Sequence, residues 1–483
     1  MPNSKILIGG DWRNVVSGET IPVINPSTGD VFSQIGRGAA ADIDLAVAAA
    51  QSAFDGDWGH MPGFERGRLM MKLREAILDN FDVLTDLEVA DVGKPVQQSR
   101  NDVTACARYF EFYGGAADKI HGETIPYLDG YTVMTLREAH GVTGHIIPWN
   151  YPMQIIGRSI GAALTMGNAC VLKPGEDASL TSLKIGELAM QAGFPAGALN
   201  IVTGLGSEAG AALSAHPGIR HISFTGSTGV GTLIQKAAAE NTIPVTLELG
   251  GKSPQIVFAD ADLDAAVPFL TNAIVQNSGQ TCSAGSRLLV QQSIHDELLE
   301  KVAEGFKAMV VGPADRNLNC GPMVNKKQLD KVESYLAMAT ARKGSNGPRI
   351  VAQAKMDQDL PEGGYYVAPT LIADVPPDHP LAQEEIFGPV LSVIPFKDEA
   401  DAIAIANGTK YGLVAGIWTR DGARQMRMAR DIQAGQIFIN NYGAGGGVEL
   451  PFGGVKGSGF GREKGFEALN GFSATKTIAI KHD

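Results

Sequence analysis

The chain has 483 residues, 44% of them apolar and 19% charged, which argues against disorder and corresponds to roughly three domains. Forty basic residues stand against 52 acidic ones, a net charge of −12 without a basic patch, so neither nucleic acid nor an anionic membrane is an expected partner. The four cysteines form no CxxC pair, and no stretch reads as a signal peptide or a membrane span. We expect a cytoplasmic protein without a metal site that acts on a small molecule.

From residue 141 onward, short apolar segments alternate with amphipathic ones. Strands are predicted at 141–147, 169–172, 199–202, 221–224 and 244–249, with helices between them at 153–166, 180–191, 208–213 and 230–240. This alternation is typical of βαβ units that form a parallel sheet with helices on both faces. Ligands bind such sheets at the carboxyl ends of the strands, so the loops there are expected to form one crevice.

A second α/β unit is predicted after residue 251. Its strands are expected at 255–258, 286–290, 414–418 and 436–439, and its helices at 263–275, 296–309 and 401–407. No fixed repeat or long linker separates the two units, so we expect them to pack closely together.

Three side chains in or near these loops are candidates for one chemistry. Cys282 lies among small residues beyond a predicted helix, where a thiol can reach a substrate carbon, although a lone cysteine is more often buried and inert. Glu248 ends a very apolar strand, so its carboxylate must be paired, capped by the glycine turn or kept at a raised pKa as a base. Asn150 offers an amide N–H that could stabilise an oxyanion, or it forms an ordinary Asx turn.

Two further loops fit a dinucleotide. Thr225, Gly226 and Ser227 lie between a strand and a helix, where free backbone N–H groups attract pyrophosphate. Lys173 and Glu176 follow another strand, and an acid at this position can accept hydrogen bonds from ribose hydroxyls.

The segment 157–161 matches the GxSxG pattern of serine hydrolases, with Ser159 as the nucleophile. That pattern needs a sharp turn from strand to helix, whereas this segment falls inside a predicted helix. Close packing of small residues is therefore the favoured interpretation, and a serine hydrolase remains a rival hypothesis.

Together these motifs resemble those of the aldehyde dehydrogenase superfamily, in the same order and along nearly the whole chain. The matching segments are PWN at 148–150, KPGE at 173–176, FTGS at 224–227, LELGGK at 247–252, GQTC at 279–282, EIFGP at 385–389, PFGGVK at 451–456, SG at 458–459 and GRE at 461–463.

The resemblance implies an α/β fold with two doubly wound domains and a small β bridging element. A Rossmann-like cofactor domain is expected over 1–117 and 141–250, and a catalytic domain over 251–446. The bridging element is expected over 118–140 and 447–483. Because this element joins subunits in the family, it implies a homodimer or a homotetramer.

The resemblance also implies NAD(P)-dependent oxidation of an aldehyde to the carboxylic acid. Cys282 attacks the aldehyde, the Asn150 side chain and the Cys282 N–H hold the oxyanion, and hydride passes to the nicotinamide. Water activated by Glu248 then hydrolyses the thioester, which distinguishes this chain from the CoA-acylating branch. Glu463 matches an acid that some members use for proton relay. The implied cofactor-binding residues are Trp149, Lys173, Glu176, Thr225, Gly226, Ser227, Glu385 and Phe387.

The expected cofactor is NAD, because the Glu176 carboxylate would bind both adenosine ribose hydroxyls and repel the 2′-phosphate of NADP. Lys173 beside it could soften this preference, so NADP remains a less preferred cofactor.

The substrate is the least determined part of the prediction. Positions that line the substrate tunnel in the family correspond to Tyr151, Arg158, Gln276, Gly446 and Phe452, which suggests a roomy, polar tunnel for a bulky or polar aldehyde. Arg158 matches an arginine that binds the substrate carboxylate in succinic semialdehyde dehydrogenases, so a semialdehyde acid or an aromatic aldehyde fits; a second interpretation is that Arg158 only pairs with a neighbouring acid. Betaine-aldehyde-type or broad specificity, and a non-catalytic structural role, are competing hypotheses.

Overall fold

The computed structural model describes residues 4–340, 347–443 and 447–482, without the side chain of residue 340. In the first half of the chain the strands are β1 (Lys5–Ile8), β2 (Asp11–Asn14), β3 (Thr20–Ile24), β4 (Val31–Gly36), β5 (Thr124–Ile125), β6 (Tyr131–Ala139), β7 (Val142–Ile146), β8 (Ala169–Lys173), β9 (Leu199–Ile201), β10 (His221–Thr225) and β11 (Val245–Glu248). The helices are α1 (Ala40–Asp55), α2 (Asp57–His60), α3 (Gly63–Asp79), α4 (Phe81–Val92), α5 (Val96–Ala116), α6 (Pro152–Thr165), α7 (Leu180–Ala192), α8 (Ala211–Ala215) and α9 (Thr228–Glu240).

The first sheet contains a reversal of strand order that creates a binding crevice. Its order is β2-β1-β9-β8-β7-β10-β11, and the five strands from β9 to β11 run parallel. The chain moves outward from β7 to β8 and β9, then crosses to the other side of β7 for β10 and β11. The loops after β7 and β10 therefore leave in opposite directions, and a crevice opens at their carboxyl ends.

Helix α6 packs very closely on α5, which explains the small residues of the GxSxG segment. A Cβ atom on Gly157 would lie 2.8 Å from Cβ of Tyr109, and one on Gly161 would lie 3.0 Å from the ring of Tyr113. Glycine is needed at both positions because a larger residue would push the helices apart. The packing interpretation of this segment agrees with the structure.

The second sheet has the order β15-β17-β18-β13-β12-β19-β20, with β15 as its antiparallel strand. The strands of this part of the chain are β12 (Pro254–Val257), β13 (Arg287–Gln291), β14 (Val310–Val311), β15 (Arg349–Gln353), β16 (Lys355–Met356), β17 (Thr370–Ala373), β18 (Val390–Phe396), β19 (Val414–Trp418) and β20 (Gln436–Ile439). The helices are α10 (Leu263–Val275), α11 (His295–Ala308), α12 (Lys326–Thr340), α13 (Pro380–Gln383), α14 (Glu399–Asn407) and α15 (Gly422–Asp431).

The C-terminal segment returns to the first sheet. It forms β21 (Gly459–Phe460), α16 (Gly465–Gly471) and β22 (Ser473–Lys481). Strand β21 pairs antiparallel with β11, which brings the residues around position 463 to the carboxyl end of that strand. Strand β22 pairs with β6, which also pairs with β5, so these three form a separate antiparallel sheet.

The predicted strands and helices lie within a few residues of the observed ones, and the predicted α/β class is confirmed. Strands β15, β17 and β18 of the second sheet were not predicted; β18 contains Pro395, a residue that argues against a strand interior. No helix in the described ranges is long and apolar enough to cross a bilayer.

Candidate active site

A cavity of about 530 Å³ lies at the carboxyl ends of β7, β10 and β11 and is lined by residues of both halves of the chain. Most of the predicted site residues line it, and they come from eight separate stretches of the chain. These residues are Trp149, Asn150, Tyr151, Arg158, Thr225, Gly226, Ser227, Glu248, Gln276, Cys282, Glu385, Phe387 and Phe452.

Cys282 reaches the cavity on a tightly turned loop after α10. Asn277 and Ser278 in this loop have φ values of 49° and 54°, in the left-handed region that few residues adopt. A Cβ atom on Gly279 would lie 2.2 Å from the carbonyl carbon of Gly388, so only glycine allows this approach. Cys106, Cys170 and Cys320 are buried, whereas Cys282 is partly buried and lines the cavity.

The Cys282 thiol is held in its protonated form by its surroundings. Burial raises the pKa of Cys282 to about 12, and the Arg158 guanidinium opposes that effect. The thiolate is the nucleophile, so this cysteine needs a base or additional positive charge before it can attack.

Asn150 bridges the loop after β7 to the cysteine loop. Its Nδ2 donates to the carbonyl of Gln280 over 2.9 Å, and Asn277 Nδ2 donates to the Asn150 carbonyl over 3.0 Å. The side-chain amide carries two N–H groups and is oriented by the loop that carries Cys282. This arrangement suits a donor that holds an oxyanion beside the thiol.

Glu248 lies at the end of β11 with a carboxylate that is buried but unpaired. The residue is 2% exposed, and neither carboxylate oxygen has a hydrogen-bond partner within the part of the chain that the structure covers. Burial, and then the nearby Glu463 carboxylate, hold the pKa of Glu248 well above its usual range, while Arg158 opposes them. Among a paired acid, a capped acid and a base with a raised pKa, the geometry favours the base.

Arg158 pairs with Glu463 at the wall of the cavity. Arg158 Nε lies 2.5 Å from Glu463 Oε2, and the guanidinium lies 4.9 Å from the ring centre of Phe452. Arg158 therefore forms an ion pair with a neighbouring acid, which was the alternative to a role in binding the substrate carboxylate. It also lines the cavity.

Glu385 and Phe387 lie opposite the loop after β7. Glu385 Oε1 accepts the Gly251 N–H over 2.9 Å, and a Cβ on Gly250 would lie 2.2 Å from Glu385 Oε2. Burial raises the pKa of Glu385 to about 6. Phe387 has a φ of 61° and packs edge-on against Trp149, with ring centres 5.4 Å apart.

Lys173 and Glu176 form an ion pair of 2.7 Å next to the cavity without lining it. The Ile147 N–H donates to the Lys173 carbonyl, so this loop lies beside the one that carries Trp149. Partial burial opposes ionisation of Glu176, but Lys173 outweighs it and the pKa of Glu176 lies below its usual value. The acid is therefore an anion at neutral pH.

Helix α12 supplies site residues that the sequence analysis missed. Gln328 Nε2 donates to the carbonyls of Ile386 and Phe387, and Lys331 Nζ donates to the carbonyl of Glu385. No local motif marks these residues, because they act on a segment more than fifty residues away. Other cavity residues outside the prediction are Tyr109, Gln154, Asp177, Asn325, Lys327 and Lys464.

Gly446 lies outside the described residues. Ser159 is fully buried in α6 and does not line the cavity, so the serine hydrolase hypothesis has no geometric support. Within the ranges given above, no cluster of metal-ligating side chains occurs.

Comparison with known proteins identifies the family. The family model described as aldehyde dehydrogenase family matches residues 12–478. The chain belongs to the aldehyde dehydrogenase family. As predicted, it is an NAD(P)-dependent aldehyde oxidoreductase, and its Rossmann-like fold is confirmed.

Relatives of this aldehyde dehydrogenase match it over almost its whole length. Hydroxyisobutyraldehyde dehydrogenase of Mycolicibacterium austroafricanum is 42% identical over 98% of this chain and 93% of its own. Retinal dehydrogenase 2 of Homo sapiens is 42% identical over 99% and 92%.

Solved structures of similar proteins support the same family assignment. A Burkholderia cenocepacia protein assigned as an aldehyde dehydrogenase is 62% identical with a TM-score of 0.98, covering 99% of this chain and 100% of its own. PnpE from Pseudomonas sp. WBC-3, solved in complex with nicotinamide adenine dinucleotide, is 40% identical with a TM-score of 0.96 over 100% and 98%. The expected cofactor, NAD, is supported. One relative is a mitochondrial protein, and the cytoplasmic location and oligomeric state of this chain stay predictions.

Proposed function

We propose that this aldehyde dehydrogenase oxidises a bulky or polar aldehyde to the free carboxylic acid, with Cys282 as nucleophile, Asn150 as oxyanion donor and Glu248 as general base. The observation that carries the proposal is the convergence of these three side chains on one cavity, where Glu248 is buried without a hydrogen-bond partner among the described residues.

In the first half of the proposed reaction, the Cys282 sulfur attacks the aldehyde carbon to give a thiohemiacetal. The Asn150 amide and the Cys282 backbone N–H donate to the resulting oxyanion, in a site that excludes much of the solvent. Glu248 or the positive charge nearby favours the thiolate over the thiol. NAD+, when bound, supplies the acceptor for the hydride, and the enzyme is left with a thioester on Cys282.

In the second half, Glu248 removes a proton from a water molecule that attacks the thioester. The acid is released and the Cys282 thiol is restored. A carboxylate with a raised pKa suits this step, because a stronger base activates water more effectively. CoA is not required in this scheme.

The cofactor preference rests on the loop after β8. The Glu176 carboxylate would accept hydrogen bonds from both hydroxyls of the adenosine ribose of a bound NAD+. Glu176 is ionised and paired with Lys173, and the pair together carries no net charge to attract a 2′-phosphate. We therefore propose that NAD is preferred over NADP.

The substrate proposal rests on the walls of the cavity. Tyr151 and Phe452 contribute aromatic surface, and Gln276 and Arg158 contribute polar groups. Arg158 Nη2 is buried and has no hydrogen-bond partner within the described ranges, while Nε pairs with Glu463. The ion pair with Glu463 therefore engages one side of the guanidinium, while the N–H groups of Nη2 can donate to a substrate. Aldehydes with an aromatic ring or a hydrogen-bond acceptor in their tail fit this wall.

The chemical proposal is tested by comparing Cys282→Ala with Cys320→Ala, a matched loss of a buried thiol in the same half of the chain. NADH and acid formation from benzaldehyde and NAD+, without CoA, should disappear in Cys282→Ala and persist in Cys320→Ala. Activity in Cys282→Ala, or an absolute need for CoA, would contradict the proposal.

The substrate proposal is tested with acetaldehyde, hexanal, benzaldehyde, betaine aldehyde and succinic semialdehyde on the wild type and on Arg158→Ala. Benzaldehyde or a polar aldehyde should have a higher kcat/KM than acetaldehyde. Loss of one charge-assisted hydrogen bond should lower kcat/KM for succinic semialdehyde about tenfold in Arg158→Ala. Hexanal has no acceptor in its tail and reports general damage. The best rate on acetaldehyde would refute the substrate class, and similar rates on all five would favour broad specificity.

We also propose a homodimer or homotetramer formed through the sheet of β5, β6 and β22. Leu136 and Ile480 share one face of this sheet, because Ile480 pairs with Thr132, four residues before Leu136 on β6. They are 40% and 44% exposed, and exposed apolar patches mark contact surfaces. Leu136→Glu should shift the elution volume in size-exclusion chromatography toward the monomer. An unchanged elution volume would contradict assembly through this sheet.

A further inference from the structure

The Glu463 carboxylate has different partners on its two oxygens. Glu463 is fully buried at the cavity wall. Its Oε2 pairs with Arg158, and its Oε1 accepts a hydrogen bond of 2.8 Å from the Ser223 hydroxyl on β10. This second contact leads away from the cavity into the first sheet.

A chain of buried donors continues behind Ser223. The Ser159 hydroxyl donates to Ser223 Oγ over 3.1 Å, and His145 Nδ1 lies 2.6 Å from Ser159 Oγ. Thr143 Oγ1 lies 2.8 Å from His145 Nε2. None of these four residues is more than 2% exposed. The pairing of β7 with β10 places His145 beside Ser223, and Ser159 lies on α6.

The direction of these hydrogen bonds follows from the protonation state of His145. Burial lowers the pKa of His145 to about 3, so the ring is neutral and has one donor and one acceptor nitrogen. The Ser159 hydroxyl donates its only proton to Ser223, so its oxygen must accept the hydrogen bond from His145 Nδ1–H. The His145 Nε2 atom is then unprotonated and accepts a hydrogen bond from the Thr143 hydroxyl. Every hydrogen bond in the chain therefore points toward Glu463.

We propose that Thr143, His145, Ser159 and Ser223 form a positioning chain that holds the Glu463 carboxylate in place, turned toward Arg158 and beside Glu248, the proposed base. This inference rests on the proposed role of Glu248 in thioester hydrolysis. It also gives the Ser159 of the GxSxG segment a role that requires no access to substrate.

The charges that face Glu248 explain how the chain would act. Glu463 is the anion beside it, while Arg158 on α6 and the neighbouring Arg462 and Lys464 are the cations. The Cys282 thiol and the tyrosines Tyr109 and Tyr113 of α5 are the remaining titratable groups around this cluster. The Glu463 carboxylate raises the pKa of Glu248, so loss of the hydrogen bonds that hold this carboxylate in place should lower the pKa of Glu248.

The test isolates hydrolysis of the acyl-enzyme by using 4-nitrophenyl acetate without cofactor. The Cys282 thiolate attacks the ester carbonyl and expels 4-nitrophenolate in a burst; water that has lost a proton to Glu248 then attacks the thioester and releases acetate and the thiol. The steady rate after the burst is measured against pH for the wild type, Ser223→Ala, Ser159→Ala and Thr143→Val. Ser214→Ala is the matched control, because Ser214 is an equally buried serine that donates only to the Gly210 carbonyl.

In Ser223→Ala, the Glu463 carboxylate loses one of its hydrogen bonds and holds the pKa of Glu248 up less strongly. The acid limb of the steady rate should therefore move to lower pH by about 0.5 to 1 unit, because a hydrogen bond to a charged group is worth about one pH unit. The plateau of the rate should also be lower. Ser159→Ala should shift the acid limb less and Thr143→Val least, while Ser223→Thr, which keeps the hydroxyl, should restore the wild-type profile. The burst amplitude and the KM for the ester should stay unchanged.

Profiles of Ser223→Ala and Ser159→Ala that coincide with Ser214→Ala would overturn the proposal. If Ser223→Ala does not fold, the shift in Ser159→Ala decides the question. Failure of the proposed function itself would look different, because Cys282→Ala would then retain the burst and the oxidation of aldehydes.

Discussion

Replacement of Glu248 by Gln keeps the shape of the side chain but removes the base from a buried site. The structure shows no hydrogen-bond partner for this carboxylate among the described residues, so the substitution breaks no hydrogen bond and the change in rate reports loss of the base. General bases typically contribute about 10²–10⁴-fold, which corresponds to ~3–5.5 kcal/mol in the barrier for thioester hydrolysis. We expect the steady rate of Glu248→Gln to fall by that factor.

Stopped-flow measurement of NADH separates the two halves of the reaction. Glu248→Gln should still produce one equivalent of NADH in a burst and then stall, whereas Glu240→Gln, on the exposed end of α9, should behave as wild type. A steady rate close to wild type would refute the reasoning. Loss of the burst would show that Glu248 is needed before hydride transfer, as the base that activates Cys282.

The same substitution should also change how the stability of the protein depends on pH. The pKa of Glu248 is raised in the folded protein, so the native state binds a proton more tightly than the unfolded chain does. The free energy of unfolding contributed by this group is therefore present at low pH and is lost as pH rises above the unfolded value of about 4.3. Glu248→Gln should gain thermal stability relative to wild type as pH rises from about 5 to 8, and a constant difference would contradict a raised pKa.

Three further substitutions test the proposed cofactor-binding residues and a buried ion pair. Glu176→Ser should increase kcat/KM with NADP about tenfold relative to NAD in steady-state assays, since a like charge no longer faces the 2′-phosphate; an unchanged ratio would place the selectivity elsewhere. Lys331→Ala should raise the KM for NAD about tenfold with little change in KM for aldehyde, because the Glu385 carbonyl loses its charged donor. Lys94 is buried between Glu88 and Asp102, so Lys94→Met should lower the free energy of unfolding by about 3–5 kcal/mol in urea titrations, and a loss below about 1 kcal/mol would contradict the pairing.

Local patterns in the sequence were sufficient for the alternation of strands and helices and for the loops that carry Asn150, Glu248 and Cys282. Each of these features depends on neighbouring residues: apolar periodicity defines the strands, and small or glycine residues mark the loops. Because parallel strands end at the same edge of a sheet, the convergence of the loops also followed from the sequence. The packing of glycines in α6 was predicted in the same way.

Contacts between distant segments were decided only by the tertiary structure. Arg158 and Glu463 were separate candidates with separate roles in the sequence, and only the pairing of β21 with β11 brings the acid to the arginine. Gln328 and Lys331 belong to a helix without a recognisable motif, yet the packing of α12 places them on the Glu385–Phe387 segment. The hydrogen bonds from Thr143 to Glu463 likewise require the register of β7 with β10 and the position of α6. Such contacts depend on sheet order and helix packing, which the local spacing of residues does not encode.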